Sequence, residues 1–330
     1  MVASEKSVPS VPSAPRLRDR ILNREVVLFI ILILVALVLS TQSDQFLKLD
    51  NILNQGRLLT EVALVALPMT LIIITGGIDL SVGSILGLTA VMIWYVWQKL
   101  GWPLEIAIVL ALLTAAICGF VNGLFIVRVG VPPLIMTLAT LALYRGMALG
   151  ISQARQARGF PDWFYQLGQG EVLGLPSQLW IVIVATILTG IILARTPFGR
   201  SIYAIGNNEL GARFSGIPVD LYKLIIYTFS GFMSGLAGYI FVSRVSTTRS
   251  DMGTGLELDV IAAVVLGGTS INGGVGNIAG TAIGLILIQL LKNGLALSGF
   301  LGDATIVVVG SVLILAVLVN NFVQWRRGES

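Results

Sequence analysis

Asp79 and Ser81 in ITGGIDLSVGSILG, Asn122 in CGFVNGLFIV and Asn272 in LGGTSINGGVGNIAG are polar residues set within or beside the apolar runs of this sequence, at candidate helix breaks or on a candidate path through them. A carboxylate in such surroundings is costly unless paired or hydrated, so by default it marks a path for an ion or a polar solute. D-L-S-V-G also reads as the start of a helix after the Gly76–Gly77 break, and a local capping role for Asp79 or Ser81 is the reading we favour. Asn122, Asn272 and Asn277 are neutral amides, equally suited to lining a path for a hydroxylated solute or to bonding one helix to another. Bond-breaking chemistry has little to work with. The chain has no histidine, its one cysteine (Cys118) lies in the apolar run AAICGF as a packing residue, and no G-x-x-x-x-G-K-[ST] loop occurs. Zinc chemistry, histidine-based hydrolysis, a disulfide framework and Walker-type phosphate binding are thereby excluded. LGGTSINGGVGNIAG is Gly-rich but carries no lysine and passes into an apolar helix, which points to close packing.

The elements that must hold these residues are set by composition. With 55% hydrophobic and 12% charged residues and a mean hydropathy of +0.91, the chain is an all-α integral membrane protein. A bilayer core about 30 Å thick needs roughly 20 apolar residues per helix. Ten apolar runs fall near 26–41, 58–75, 80–97, 104–127, 132–151, 178–194, 221–243, 257–268, 276–296 and 303–321. The 257–268 run is too short to span alone, and Gly76 and Gly77 separate two runs by a few residues, so broken or re-entrant helices are expected at both places. IIITGGIDLSVGSILG and VVLGGTSINGGVGNIAG echo one another, a hint of internal repetition. Gly83/Gly87, Gly119/Gly123, Gly231/Gly235, Gly276/Gly280 and Gly280/Gly284 each present two side-chain-free surfaces on one helix face, for static packing or for sliding.

Charge orients the chain. With a cytoplasmic N-terminus, that side collects twelve of the 21 basic residues, from Lys6 and Arg16 through Arg128, Arg195 and Arg213 to Arg327, and seven of the 17 acidic ones. The net charge of +4 is therefore an orientation signal and not a nucleic-acid footprint, and both termini are placed inside. Residues 1–25, with VPSVPSAP, read as a disordered tail, 26–322 as the membrane domain and 323–330 as a short C-terminal tail; a cleaved leader is a poor fit.

On this topology the largest cytoplasmic loop is 195–220, and it holds GNNELGARFSGIPVD. Leu210, Phe214 and Ile217 fall at i, i+4 and i+7, which predicts a short helix with all three on one face. Asn207 or Asn208 caps its start, Glu209 and Arg213 pair at i,i+4, and Pro218 stops it. Gly211, Ala212 and Ser215 are small enough to admit a neighbouring surface. So short a helix needs contacts beyond itself, either a protein partner or the lipid headgroups. On the other side, Glu257, Asp259, Arg244 and Arg249 are solvated loop charges or contacts for an external protein.

The stretch Gly206 to Gly238 resembles the coupling-helix region of permease subunits of ABC transporters, the ribose-type importers of monosaccharides and autoinducer-2. ITGGIDLSVGSILG, CGFVNGLFIVRVGVPPLIMTLATL and LELDVIAAVVLGGTSINGGVGNIAGTAIG agree with the same family, in order, over residues 50–320. The resemblance implies about ten membrane helices, some short or broken, and a cytoplasmic coupling helix that docks on a separate ATPase through Asn207, Asn208, Glu209, Leu210, Ala212, Arg213, Phe214, Ser215, Gly216 and Ile217. It further implies a translocation path or helix break at Gly76, Gly77, Asp79, Ser81, Asn122 and Asn272, with no metal and no catalytic residue. ATP and Mg would be bound by the partner ATPase, with no cofactor in this chain. Other implied partners are a second permease subunit, identical or paralogous, a periplasmic solute-binding protein and membrane lipid. The implied solute is a pentose or deoxyhexose, with autoinducer-2 as the alternative; an ion-coupled secondary transporter would want more buried carboxylates than the spans offer.

Overall fold

The computed structural model describes residues 24–153, 155–156, 158–300 and four positions between 307 and 314. The N-terminal tail, nearly all of the last apolar run and the C-terminal tail lie outside the described residues. The rest is almost wholly helical: α1 (Arg24–Ser40), α2 (Leu49–Ile74), α3 (Val82–Trp94), α4 (Leu104–Leu124), α5 (Pro133–Ser152), α6 (Asp162–Gln169), α7 (Ser177–Arg195), α8 (Pro197–Asn207), α9 (Glu209–Phe214), α10 (Val219–Val245), α11 (Leu256–Leu266) and α12 (Ile278–Leu297). Single π-turns extend α3 over Tyr95–Lys99 and α4 over Phe125–Val129, and one two-stranded hairpin pairs Glu171–Val172 with Leu175–Pro176.

Among the described residues, six helices are long and apolar enough to cross a membrane: α2, α4 with its π-turn, α5, α7, α10 and α12. The predicted runs at 26–41, 80–97 and 257–268 are also helical, as α1, α3 and α11. At 11 residues α11 reaches only about 16 Å, half a bilayer core, so it ends inside the protein as its length requires. The α2 helix is the axis of the molecule. Its C-terminal half from Ala63 to Ile74 is buried, and α7, α10, α11 and α12 pack around it. The outward faces are oily: Ile106, Val109, Leu113, Ile117 and Phe120 form an exposed stripe along α4 at steps of three and four. Such a stripe is a liability in water and the ordinary surface of a helix in lipid.

Glycines decide how closely the central helices approach. A Cβ at Gly119 would overlap the Tyr227 carbonyl oxygen and lie 2.9 Å from the Gly231 Cα, while one at Gly231 would overlap the Ala115 carbonyl. The α4 and α10 backbones therefore touch where the two glycine pairs face each other. Gly280 and Gly284 of α12 likewise lie against Gly267 and Ala263 at the end of α11.

Both expected breaks are present. After Ile74 the chain turns through Gly76, at φ +79°, before α3 starts at Val82; after Leu266 it turns through Gly268, at φ +100°, before α12 starts at Ile278. The two echoing segments thus fold alike, as helix, break and helix. They also meet, since the Gly274 N–H donates to the Ile74 carbonyl at 2.9 Å.

Candidate functional site

Residues 195–220 fold as two short helices on the end of the molecule that also carries the two breaks. Thr196 caps α8 by accepting from Gly199 N–H at 3.3 Å, with Pro197 at the first helical position, where a missing N–H costs nothing. Asn208 caps α9, its Oδ1 accepting from Gly211 N–H at 2.8 Å. Asn207 is instead the last residue of α8. The α9 helix stops at Phe214, four residues before Pro218, because Gly216 takes the left-handed conformation at φ +81°. Gly216 N–H then donates to Arg213 O and Ile217 N–H to Ala212 O, both at 3.0 Å, which closes a Schellman motif. Gly216 carried that stop signal in the sequence.

This ending corrects the expected face. Ile217 lies past the helix and packs inward, with buried Ala212, against Ile205 and Val219. Ile217, expected on the outward face from the i, i+4, i+7 pattern, is thus turned inward and partly buried, and Ala212, expected as a small residue that admits a neighbour, is covered. Leu210 and Phe214 remain outside, 68% and 91% exposed, with exposed Ser215 beside them.

Ion pairs hold the six-residue α9. Glu209 accepts from Arg213 at 3.0 Å and from Lys223 of α10 at 2.6 Å, and Arg213 also donates to Asp220 at 2.5 Å. Partial burial pushes the Glu209 carboxyl up, but the hydrogen bonds and charges of Lys223 and Arg213 outweigh it and hold the group below its ordinary value. Hydrogen bonds from Arg213 to Asp220 and Glu209 raise the guanidinium correspondingly. Glu209, Arg213 and Asp220 are exposed enough for solvent to screen these pairs, so Glu209→Ala is expected to cost about 1 kcal/mol of thermal stability in the purified protein.

The first break holds a buried polar cluster. Asp79 is fully buried; its Oδ1 accepts from Ser81 N–H at 3.0 Å and Ser81 Oγ at 2.6 Å, and its Oδ2 from Ser230 Oγ of α10 at 3.0 Å. Asn122 of α4 donates to Ser81 Oγ at 2.8 Å, and Tyr144 of α5 donates to the Cys118 carbonyl at 3.0 Å. The capping expectation is therefore corrected: neither side chain bonds to an N–H of α3 itself. Ser81 occupies the cap position of α3 but makes no side-chain cap bond, whereas Asp79 closes a local turn and also ties α3 to α10. No basic side chain pairs with Asp79 among the described residues. Asn122 bonds helix to helix. Asn272 is exposed in the second break and does not join this cluster, which corrects its grouping with Asn122. Asn277 caps α12, accepting from Gly280 N–H at 2.6 Å.

At the opposite end most of the charges are already engaged. Asp259 pairs with Lys292 at 2.5 Å, Arg249 with Asp251, and Arg244 with the buried Glu61 at 2.8 Å while lying over the Phe241 ring. Arg145 donates to the carbonyls of Ser250 and Met252 at 2.6 and 2.7 Å and so pins the loop before α11. Glu61 and Arg145 escaped the sequence reading, although each is a charge inside an apolar helix, which is the signal that singled out Asp79.

A bundle of apolar helices around a buried axis, with two interrupted helices meeting at one end beneath an exposed amphipathic turn, defines a multi-pass membrane protein. Residues 49–318 match the family model described as the branched-chain amino acid transport system / permease component, and the chain belongs to that family. It is 38% identical to the ribose import permease protein of Haemophilus influenzae over 304 residues, covering 91% of this chain and 94% of that one. It is 41% identical to the ribose import permease protein of Escherichia coli over 299 residues, 89% and 92% of the two chains. The autoinducer 2 import system permease protein of Yersinia enterocolitica is 39% identical over 263 residues, 78% of this chain and 79% of that one. No solved structure matches. The chain is a permease subunit of an ABC importer, a transport component and not an enzyme.

Proposed function

We propose that this permease imports a monosaccharide, a pentose or deoxyhexose, across the inner membrane, driven by a separate cytoplasmic ATPase that binds the ATP and Mg. The observation that carries the coupling reading is Phe214, an aromatic side chain 91% exposed on a helix fixed by three ion pairs. An isolated six-residue helix is unstable in water, so one held rigid with its apolar side chains outward is shaped for a socket. A second permease subunit completes the pathway, and a periplasmic binding protein delivers the solute to the end that carries 158–174 and 244–255. The sugar assignment rests on the ribose import permeases that match nearly the whole chain; the autoinducer-2 permeases support the second reading. Uptake of labelled ribose and of autoinducer-2 by proteoliposomes holding the complete complex decides between them, and ribose is the expected solute.

The same reading orients the chain with both termini cytoplasmic. On a Cys118→Ala background, Ser215→Cys is expected to resist an impermeant thiol reagent in intact cells and Val172→Cys to react. Both side chains are exposed, at opposite ends of the bundle. Labelling of Ser215→Cys from outside would reverse the orientation.

A further inference from the structure

We propose that α8 is the arm that carries movement of α9 to both broken helices at once, and that Tyr203 and Gly206 are its points of attachment. The proposal rests on the coupling reading of α9. The two ends of α8 are held differently. Its first turn is fixed to the spanning helices: the Phe198 ring packs on Tyr222 of α10 at 4.9 Å, and Gly199 lies so close to α7 that a Cβ would overlap the Leu193 carbonyl. The α9 helix bears on the far end of α8 through Ala212 and Ile205.

At that far end three separate stretches of chain meet backbone to backbone. Gly206 abuts the carbonyl at the end of α2 and the amide of the second break together, since a Cβ there would overlap Ile74 O and lie 2.5 Å from Gly274 N. Those two groups are themselves hydrogen-bonded. Next to them, Tyr203 Oη donates to the Gly276 carbonyl at 2.6 Å, just ahead of the first turn of α12. Gly273 belongs to the same contact, with room for a Cβ only 3.0 Å from Gly206 O and 3.2 Å from Gly76 N.

At Gly206 itself the joint is main chain against main chain, flanked by the Tyr203 ring and by the Asn207 side chain, which lies against Gly274. A shift of a few tenths of an ångström at Gly206 has to be taken up by Ile74, Gly76 and Gly274, where the backbone is already released from helix. Packed contacts of this kind switch between discrete arrangements instead of deforming smoothly. The first break leads directly to Asp79 and Ser81, so the polar cluster is five residues from the joint in sequence. Tyr203 and Gly206 are positioning residues: they touch neither solute nor ATP.

The test uses the complete complex of permease, ATPase and binding protein in proteoliposomes, with Tyr203→Phe and Gly206→Ala. Three quantities are read: ATPase recovered with the permease, ATP hydrolysed, and solute taken up per ATP. Tyr203→Phe is expected to keep ATPase recovery at the wild-type level and to lower uptake per ATP roughly fivefold, the population shift that loss of one neutral hydrogen bond produces. Gly206→Ala is expected to lower it further. Unchanged uptake per ATP in Tyr203→Phe overturns the proposal, whether or not Gly206→Ala folds. Loss of ATPase recovery in Tyr203→Phe overturns it as well, since α8 would then be part of the docking surface. If the wild-type permease itself recovers no ATPase, it is the coupling reading of α9 that fails.

Discussion

Replacing Asp79 with alanine is expected to destabilise the purified permease by about 2–4 kcal/mol, because three donors that converge on one buried carboxylate lose their acceptor together. The two serine hydroxyls can rotate to other acceptors, but the Ser81 N–H cannot, and a fixed buried donor without a partner bears the full desolvation penalty. The loss falls on the join between α3 and α10, since Ser230 is the group that Asp79 reaches across the break. Asp79→Asn separates geometry from charge. Its carbonyl oxygen still accepts from Ser81, and the Ser230 hydroxyl turns to accept from the new amide, so stability is expected within about 1 kcal/mol of wild type. Uptake is expected to survive in Asp79→Asn. The measurements are thermal unfolding in detergent and solute uptake. A well-folded Asp79→Asn variant that transports nothing would show that the negative charge takes part in transport.

Period and length made the spans legible, and glycine made the breaks legible. An apolar run of 20 residues has few ways to satisfy its backbone in lipid except as a helix, so α4, α5, α7, α10 and α12 start and stop near where the runs do. The α2 helix begins nine residues before its predicted span because Leu49–Arg57 is too polar for a hydropathy reading yet continues the helix. What escaped was tertiary. Nothing in D-L-S-V-G says that Ser230, 151 residues away, completes the Asp79 site, and a local cap was the reading that local information supports. Asn122 and Asn272 are equivalent by composition; only the fold puts one inside against Ser81 and leaves the other on the surface. The α9 face was misread for a different reason. The spacing of Leu210, Phe214 and Ile217 assumes an unbroken helix, and Gly216 ends it first. The periodic signal and the stop signal conflicted, and the stop signal prevailed: left-handed Gly216 lets its own N–H and that of Ile217 satisfy the Arg213 and Ala212 carbonyls, whereas a further turn would set Pro218, which has no N–H, opposite the Phe214 carbonyl.

That correction sharpens what is expected of Phe214. With Ile217 folded inward, the outward apolar surface of α9 reduces to Leu210 and Phe214, and the aromatic ring is the larger and more exposed of the two. An aromatic side chain that fills a desolvated pocket carries a disproportionate share of an interface, so Phe214→Ala is expected to weaken ATPase association by about 2 kcal/mol or more, roughly thirtyfold. Leu210→Ala is expected to cost less, since it removes a smaller buried area. The fold should not notice either change: at 91% exposure Phe214 contributes almost nothing to the permease's own core. Ile217→Ala behaves in the opposite way. It removes a side chain that covers Ile205, Ala212 and Val219, so it is expected to loosen α9 and lower thermal stability before it affects any contact with a partner. The pair of measurements is ATPase recovery from a titrated complex and unfolding of the permease alone. The coupling surface predicts that Phe214→Ala moves the first and leaves the second, and that Ile217→Ala moves the second. If Phe214→Ala instead lowers the stability of the isolated permease in lipid and leaves ATPase recovery intact, the ring is seated among headgroups, and α9 is an interfacial anchor with no part in coupling.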